Sequence, residues 1–112
     1  MPPKSGVVER FTQIKNDFLR DKELSPAAKL VGVVFASYAN AQTIAWPGTT
    51  RLMHETRLGR DAVQRGRATL VKGGYLKKLL MRGKGGKIRN VRYLVTDRII
   101  WRRRANHLPE NP

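Results

Sequence analysis

Pro47-Gly-Thr-Thr-Arg-Leu-Met-His-Glu-Thr-Arg-Leu-Gly-Arg-Asp-Ala-Val-Gln-Arg-Gly-Arg-Ala-Thr-Leu-Val-Lys-Gly-Gly74 is the stretch whose reading decides the fold. A short helix is expected from Gly48 or Thr49 to about Thr56, with Leu52 and Met53 facing inward. Arg57-Leu58-Gly59 reads as a turn. A second helix is expected from about Arg60 to Lys72. Val63, Leu70 and Val71, with the small Gly66 beside them, keep the three-, four- and seven-residue spacing of one helical face. Asp61, Gln64, Arg65, Ala68 and Lys72 fall on the opposite face.

The residues beyond Gly74 add a hairpin. Tyr75 to Met81 is apolar and basic by turns. Arg82-Gly83-Lys84-Gly85-Gly86-Lys87 is a basic glycine turn, and Ile88 to Thr96 alternates again through Ile88, Val91, Tyr93 and Val95. Two strands joined by such a turn, directly after a basic helix, read as a wing. Two helices, a tight turn and a wing make the expected class α+β: three helices plus a small antiparallel sheet.

On these residues the chain resembles the winged helix-turn-helix family of bacteria and their phages and plasmids, above all its small replication-associated and regulatory modules. Leu24-Ser25-Pro26 stands where that family opens its first helix, and Pro47-Gly48 where it opens its second. Leu70-Val71-Lys72-Gly73-Gly74-Tyr75-Leu76 stands where its chain enters the wing. The resemblance spans roughly residues 10–96 and implies a double-stranded DNA partner. Three positions depart from it. Gly59 replaces the usual Ser or Thr cap of the recognition helix, Met53 stands where a small residue is common, and Arg57 stands where glycine is common.

Working outward, Ser25-Pro26 is the clearest helix start. Serine caps the free N–H groups and proline fits the first helical position. The helix should run to Tyr38 or Asn40. Leu30, Val31, Val33, Val34, Phe35 and Tyr38 make it apolar almost all round, as a buried strut would be. Phe11 to Ile14 is expected as a short strand, and Asn16 to Leu19 as a turn or helical turn with Phe18 and Leu19 in the core. Residues 1–9 read as a disordered arm. Asn40 to Trp46 reads as a loop or short strand. Trp46 is expected to pack in the core, the alternative being a stack on a nucleobase. Residues 97–112 read as a basic tail. There Ile99, Ile100 and Trp101 dock either on their own domain, the favoured reading, or on a neighbouring copy, and Arg102-Arg103-Arg104 follows.

Charge narrows the function. The formal net charge is +15; residues 1–50 carry +2 of it and residues 51–112 carry +13. Soluble surfaces mix both signs, so this asymmetry points to a polyanionic partner. The 112 residues suggest one small domain. The absence of cysteine excludes disulfides and thiolate metal sites. No apolar run is long enough for a membrane span, so a cytoplasmic protein is expected. No cofactor and no enzymatic activity are expected. His54-Glu55 lacks the second histidine of a zinc-protease helix, because Leu58 stands there. Gly83-Lys84-Gly85-Gly86 lacks the spacing of a phosphate loop.

The expected base-reading residues are Arg60, Asp61, Gln64 and Arg65, because arginine pairs bidentately with guanine in the major groove. Thr49, Thr50, Arg51, Arg57 and Lys72 are expected on the DNA backbone, and Arg67 on phosphate or in a structural role. Arg82, Lys84, Lys87 and Arg89 belong to the wing. The expected role is a small regulator or a recombination accessory (excision) factor of a mobile element. The alternatives are the DNA-binding module of a plasmid or phage replication initiator and, third, an RNA-binding protein.

Overall fold

A computed structural model describes residues 12–86 and 88–101, with the backbone alone at 81, 82, 84 and 88–90. Lys87, the proposed arm of residues 1–9 and the arginine run 102–104 lie outside the described residues. The elements are α1 (Asn16–Leu19), α2 (Pro26–Tyr38), β1 (Ile44–Ala45), α3 (Thr49–Thr56), α4 (Arg60–Lys72), β2 (Leu76–Arg82) and β3 (Ile88–Val95), with a 3-10 turn at Lys84–Gly86 between the last two. The class is α+β, and the arrangement is that of a winged helix-turn-helix. It carries one helix more than the three expected, since Asn16–Leu19 closes a full helical turn.

Local chemistry explains the boundaries. Ala28 N–H donates to Ser25 Oγ at 3.1 Å, and Pro26 occupies the first turn of α2. This cap satisfies an N–H that a helix end leaves without a partner. α3 ends at Arg57, which adopts the left-handed conformation at φ 63°. That conformation is natural for glycine and costly for other residues, which is why glycine suits this position. α4 starts from Gly59 with no side-chain cap, and Asp61 in its first turn opposes the helix dipole instead.

The three strands form one antiparallel sheet in the order β1-β3-β2. Val95 pairs with Leu76 and Ile88 with Arg82, with a bulge between Met81 and Arg82 where the hairpin twists into its turn. Gly85 and Gly86 sit at φ 77° and 78°, which lets the chain reverse there. β1 adds Ile44 opposite Leu94 and Ala45 opposite Tyr93.

The core joins Phe18, Ala28, Val31, Phe35, Leu52, Val63, Leu70, Leu76, Val95 and Ile99. Two glycines allow its closest approaches. A Cβ at Gly66 would stand 3.2 Å from Ala28 Cα, so the bare glycine lets α4 lie against α2. A Cβ at Gly32 would stand 2.5 Å from Phe18 Cζ, so α2 packs on that ring only without a side chain there.

Several expectations are corrected by the packing. Leu19 is 44% exposed although Phe18 beside it is buried. α2 is a one-sided strut: Leu30 and Tyr38 are 45% and 40% exposed, while Val31, Val34 and Phe35 face inward. Of the strand expected at Phe11 to Ile14, Phe11 lies outside the described residues and the rest forms no strand. Ile14 instead forms an isolated antiparallel bridge to Ile100, flanked by Lys15 N–H to Ile99 O at 2.8 Å and Trp101 N–H to Gln13 O at 3.2 Å. Ile99 and Ile100 are therefore buried in their own domain, at 0% and 6% exposure, as the favoured reading of the sequence expected. Trp101 is 63% exposed, with the Lys15 ammonium 4.6 Å from its ring centroid. Trp46 is half exposed and outside the core.

Candidate nucleic-acid interface

α3 and α4 pack against each other and carry the expected contact residues, most of them exposed. Leu52 on α3 and Val63 and Leu70 on α4 are fully buried, which fixes both helices in rotation about their axes. The remainder of each helix must then face outward. Arg60, Asp61, Gln64, Arg65 and Ala68 are exposed on α4, as is Lys72 at its end. This is the face the spacing predicts.

The turn between the helices is held by a side chain that the spacing did not reveal. Thr56 is buried; its hydroxyl donates to Leu52 O at 2.6 Å and accepts from Leu58 N–H at 3.2 Å. It locks the last turn of α3 to the start of the reversal. Arg57 N–H bonds Met53 O at 2.9 Å while its side chain stays exposed.

At the opening of α3, Thr49 is half-buried and Thr50 exposed. Arg67 Nη2 donates to Thr49 Oγ1 at 3.3 Å, so Arg67 ties the N-terminus of α3 to the middle of α4. The Thr49 hydroxyl keeps its own proton to donate elsewhere. Arg51 is held in a small cluster. Its Nη1 lies 3.9 Å from Glu55 Oε2 and donates to the Tyr38 hydroxyl at 3.3 Å, and that hydroxyl donates to Glu55. Glu55 offsets part of the Arg51 charge, so Arg51 is the least free of the expected backbone contacts. Arg51–Glu55 is the single ion pair among the described residues. The remaining described cations of α3 and α4 therefore keep their charge unneutralised.

The wing lies beside this surface through the contact of α4 with β2. Arg82, Lys84 and Arg89 take their places by backbone position at and around the hairpin turn. A second polar cluster sits where the last described residues pack. The Tyr75 hydroxyl donates to Asp21 Oδ2 and accepts from Arg98 Nη2 at 3.1 Å, and the Arg98 guanidinium lies 4.4 Å from the Tyr75 ring centroid. The Tyr75 hydroxyl holds the Asp21 carboxyl below its ordinary value, helped by the Glu23 N–H. Asp21 in turn raises Tyr75, with burial adding to the rise and Arg98 opposing it. The residues are scattered from 21 to 98, which hides the cluster from any reading of local spacing.

Among the described residues no group of three His, Cys, Asp or Glu side chains is placed to hold a metal ion. No described helix is long and apolar enough to cross a membrane.

Residues 22–76 match the family model of a helix-turn-helix domain. The matched span covers α2, β1, α3 and α4 and ends at the first residue of β2, so it contains the surface just described. No curated relative and no solved structure matches the chain. The family match supports DNA as the partner.

Proposed function

We propose that this helix-turn-helix protein binds double-stranded DNA sequence-specifically, as a small regulator or a recombination accessory factor of a bacterial mobile element. The observation that carries the reading is the outer face of α4. Arg60, Asp61, Gln64 and Arg65 are all exposed on it, and the helix is fixed in rotation by fully buried Val63 and Leu70. A helix presented in this way fits the major groove, where arginine and glutamine read base edges and an aspartate accepts from cytosine. Thr50, Arg57 and Lys72 would contact phosphates on either side, with Thr49 and Arg51 joining them from within their own hydrogen bonds. The wing cations Arg82, Lys84, Lys87 and Arg89 would lie on the backbone or the adjacent minor groove.

The test is selection of a binding site from random duplexes, followed by titration at several salt concentrations. Affinity should fall steeply with salt, because each phosphate contact releases counterions. Arg65→Ala should lose about 1–3 kcal/mol on the selected site and discriminate less against scrambled duplex. Lys84→Ala should weaken both duplexes alike. Equal losses on both duplexes for Arg65→Ala would overturn the docking of α4.

A further inference from the structure

The helices cover one face of the sheet, and the chemistry of the other face is unused by the duplex reading. Tyr93 marks the covered face, since its ring meets Phe35 edge-on with centroids 5.1 Å apart. Ala45, paired with Tyr93, is fully buried on the same side. Strand alternation sends the neighbours of Tyr93, Arg92 and Leu94, to the outer face. Their cross-strand partners Leu79, Ile44 and Lys77 go with them. Trp46, just past β1, joins this face, because the Arg92 guanidinium lies 4.1 Å from the centroid of its ring.

The pair is unusual in two respects. Trp46 is 50% exposed even with the Arg92 guanidinium 4.1 Å from its ring centroid. The Nε of Arg92 is enclosed without a hydrogen-bond partner, so the guanidinium rests on the ring rather than on a carboxylate. None of the strands carries an Asp or Glu. The face thus offers a flat aromatic ring, two cations in Arg92 and Lys77, and aliphatic ground in Ile44, Leu79 and Leu94. Its charge suits an anionic occupant, and its open ring suits an occupant with flat apolar groups. A duplex keeps its bases stacked on one another and offers Trp46 no free base face. A single strand presents both phosphates and free base faces.

We propose that the outer face of the sheet, centred on Trp46 and Arg92, binds single-stranded nucleic acid, with a base stacked on Trp46 and phosphates at Arg92 and Lys77. The site lies across the sheet from the helices, so it stands or falls separately from the docking of α4. A protein with both surfaces holds duplex on one side and an unpaired strand on the other.

The test uses the full chain with Trp101→Phe, which leaves Trp46 as the sole tryptophan, and a short oligothymidine as probe. The oligonucleotide should quench Trp46 emission. With a labelled oligothymidine followed by anisotropy, Trp46→Ala should raise the dissociation constant roughly five- to 150-fold, the loss of one stacked base. Affinity for a mixed-sequence hairpin duplex should stay unchanged. Lys77→Glu, at an exposed strand position away from the stack, should weaken oligonucleotide binding independently. Absent quenching, or unchanged oligonucleotide affinity in either variant, overturns the proposal. So does a free protein that sediments as a dimer and becomes monomeric with Trp46→Ala, because the face would then be a contact between copies. Loss of duplex binding alone in Arg65→Ala, with oligonucleotide binding intact, supports two separate surfaces.

Discussion

Arg57→Gly should make the protein more stable and a weaker DNA binder. Arg57 sits at φ 63° and ψ 23°, the left-handed conformation, at the end of α3. An L residue pays about 1–2 kcal/mol there. Glycine escapes that cost but loses about 0.5–1 kcal/mol more conformational freedom on folding. The net gain is on the order of 0.5–1 kcal/mol, or roughly 2–8 °C in melting temperature for a domain of this size. Urea unfolding followed by circular dichroism should move its midpoint upward at unchanged slope. The backbone bond from Arg57 N–H to Met53 O, 2.9 Å, survives the change. The exposed guanidinium does not, so duplex affinity should drop and its salt dependence should lose about one phosphate contact. Arg57→Ala separates the two effects: it should bind as weakly as Arg57→Gly without the gain in stability. A midpoint that stays put or falls in Arg57→Gly would refute the conformational argument. Wild-type binding by both variants would refute the phosphate role and leave an arginine at a glycine position unexplained.

Gly32→Ala should destabilise by about 1–3 kcal/mol, since the new Cβ would stand 2.5 Å from Phe18 Cζ and the ring must move; calorimetry checks it, and Phe18→Leu in the same chain should recover part of the loss. Asp21→Asn should flatten the acid limb of stability. The folded-state pKa of Asp21 is lowered, so its contribution is present above the unfolded carboxylate value and lost as pH falls through the folded one. Tyr75 has the opposite sign: its raised value contributes below the ordinary tyrosine range and is lost as pH rises through the folded value. Tyr75→Phe should remove both dependences, which denaturant midpoints measured across pH will show. Thr56→Val should loosen the turn between α3 and α4 by leaving Leu58 N–H without its 3.2 Å partner, at a cost of about 1–3 kcal/mol, read by the same midpoints.

The helices and the hairpin were legible in the sequence because their signals are local. α4 runs from Arg60 to Lys72 as the spacing of Val63, Gly66 and Leu70 requires, and Ser25-Pro26 opens α2 through a cap three residues long. The glycine turn and the alternation on either side specify the wing for the same reason: a strand's period and a turn's φ are properties of neighbouring residues. With the inward faces assigned, the outer faces of α3 and α4 follow. What periodicity cannot carry is which apolar residues find a cover, because that depends on elements far away in the chain. Leu30 and Tyr38 lie on a helix that reads as apolar all round, yet both stay exposed, and Tyr38 meets α3 through the polar Arg51 and Glu55 rather than in the core. Ile99 and Ile100 read as docking on their own domain, but their partner, Ile14, lies 86 residues earlier and no local spacing points to it. Trp46 has the composition of a core residue, yet it follows inward-facing Ala45 on the outer side of the sheet and meets Arg92 of β3, a neighbour that only strand pairing brings to it. The left-handed turn at Arg57 belongs to both levels. The sequence shows a residue where glycine is common, and only the packing of α3 against α4 forces it into the conformation that glycine would have taken freely.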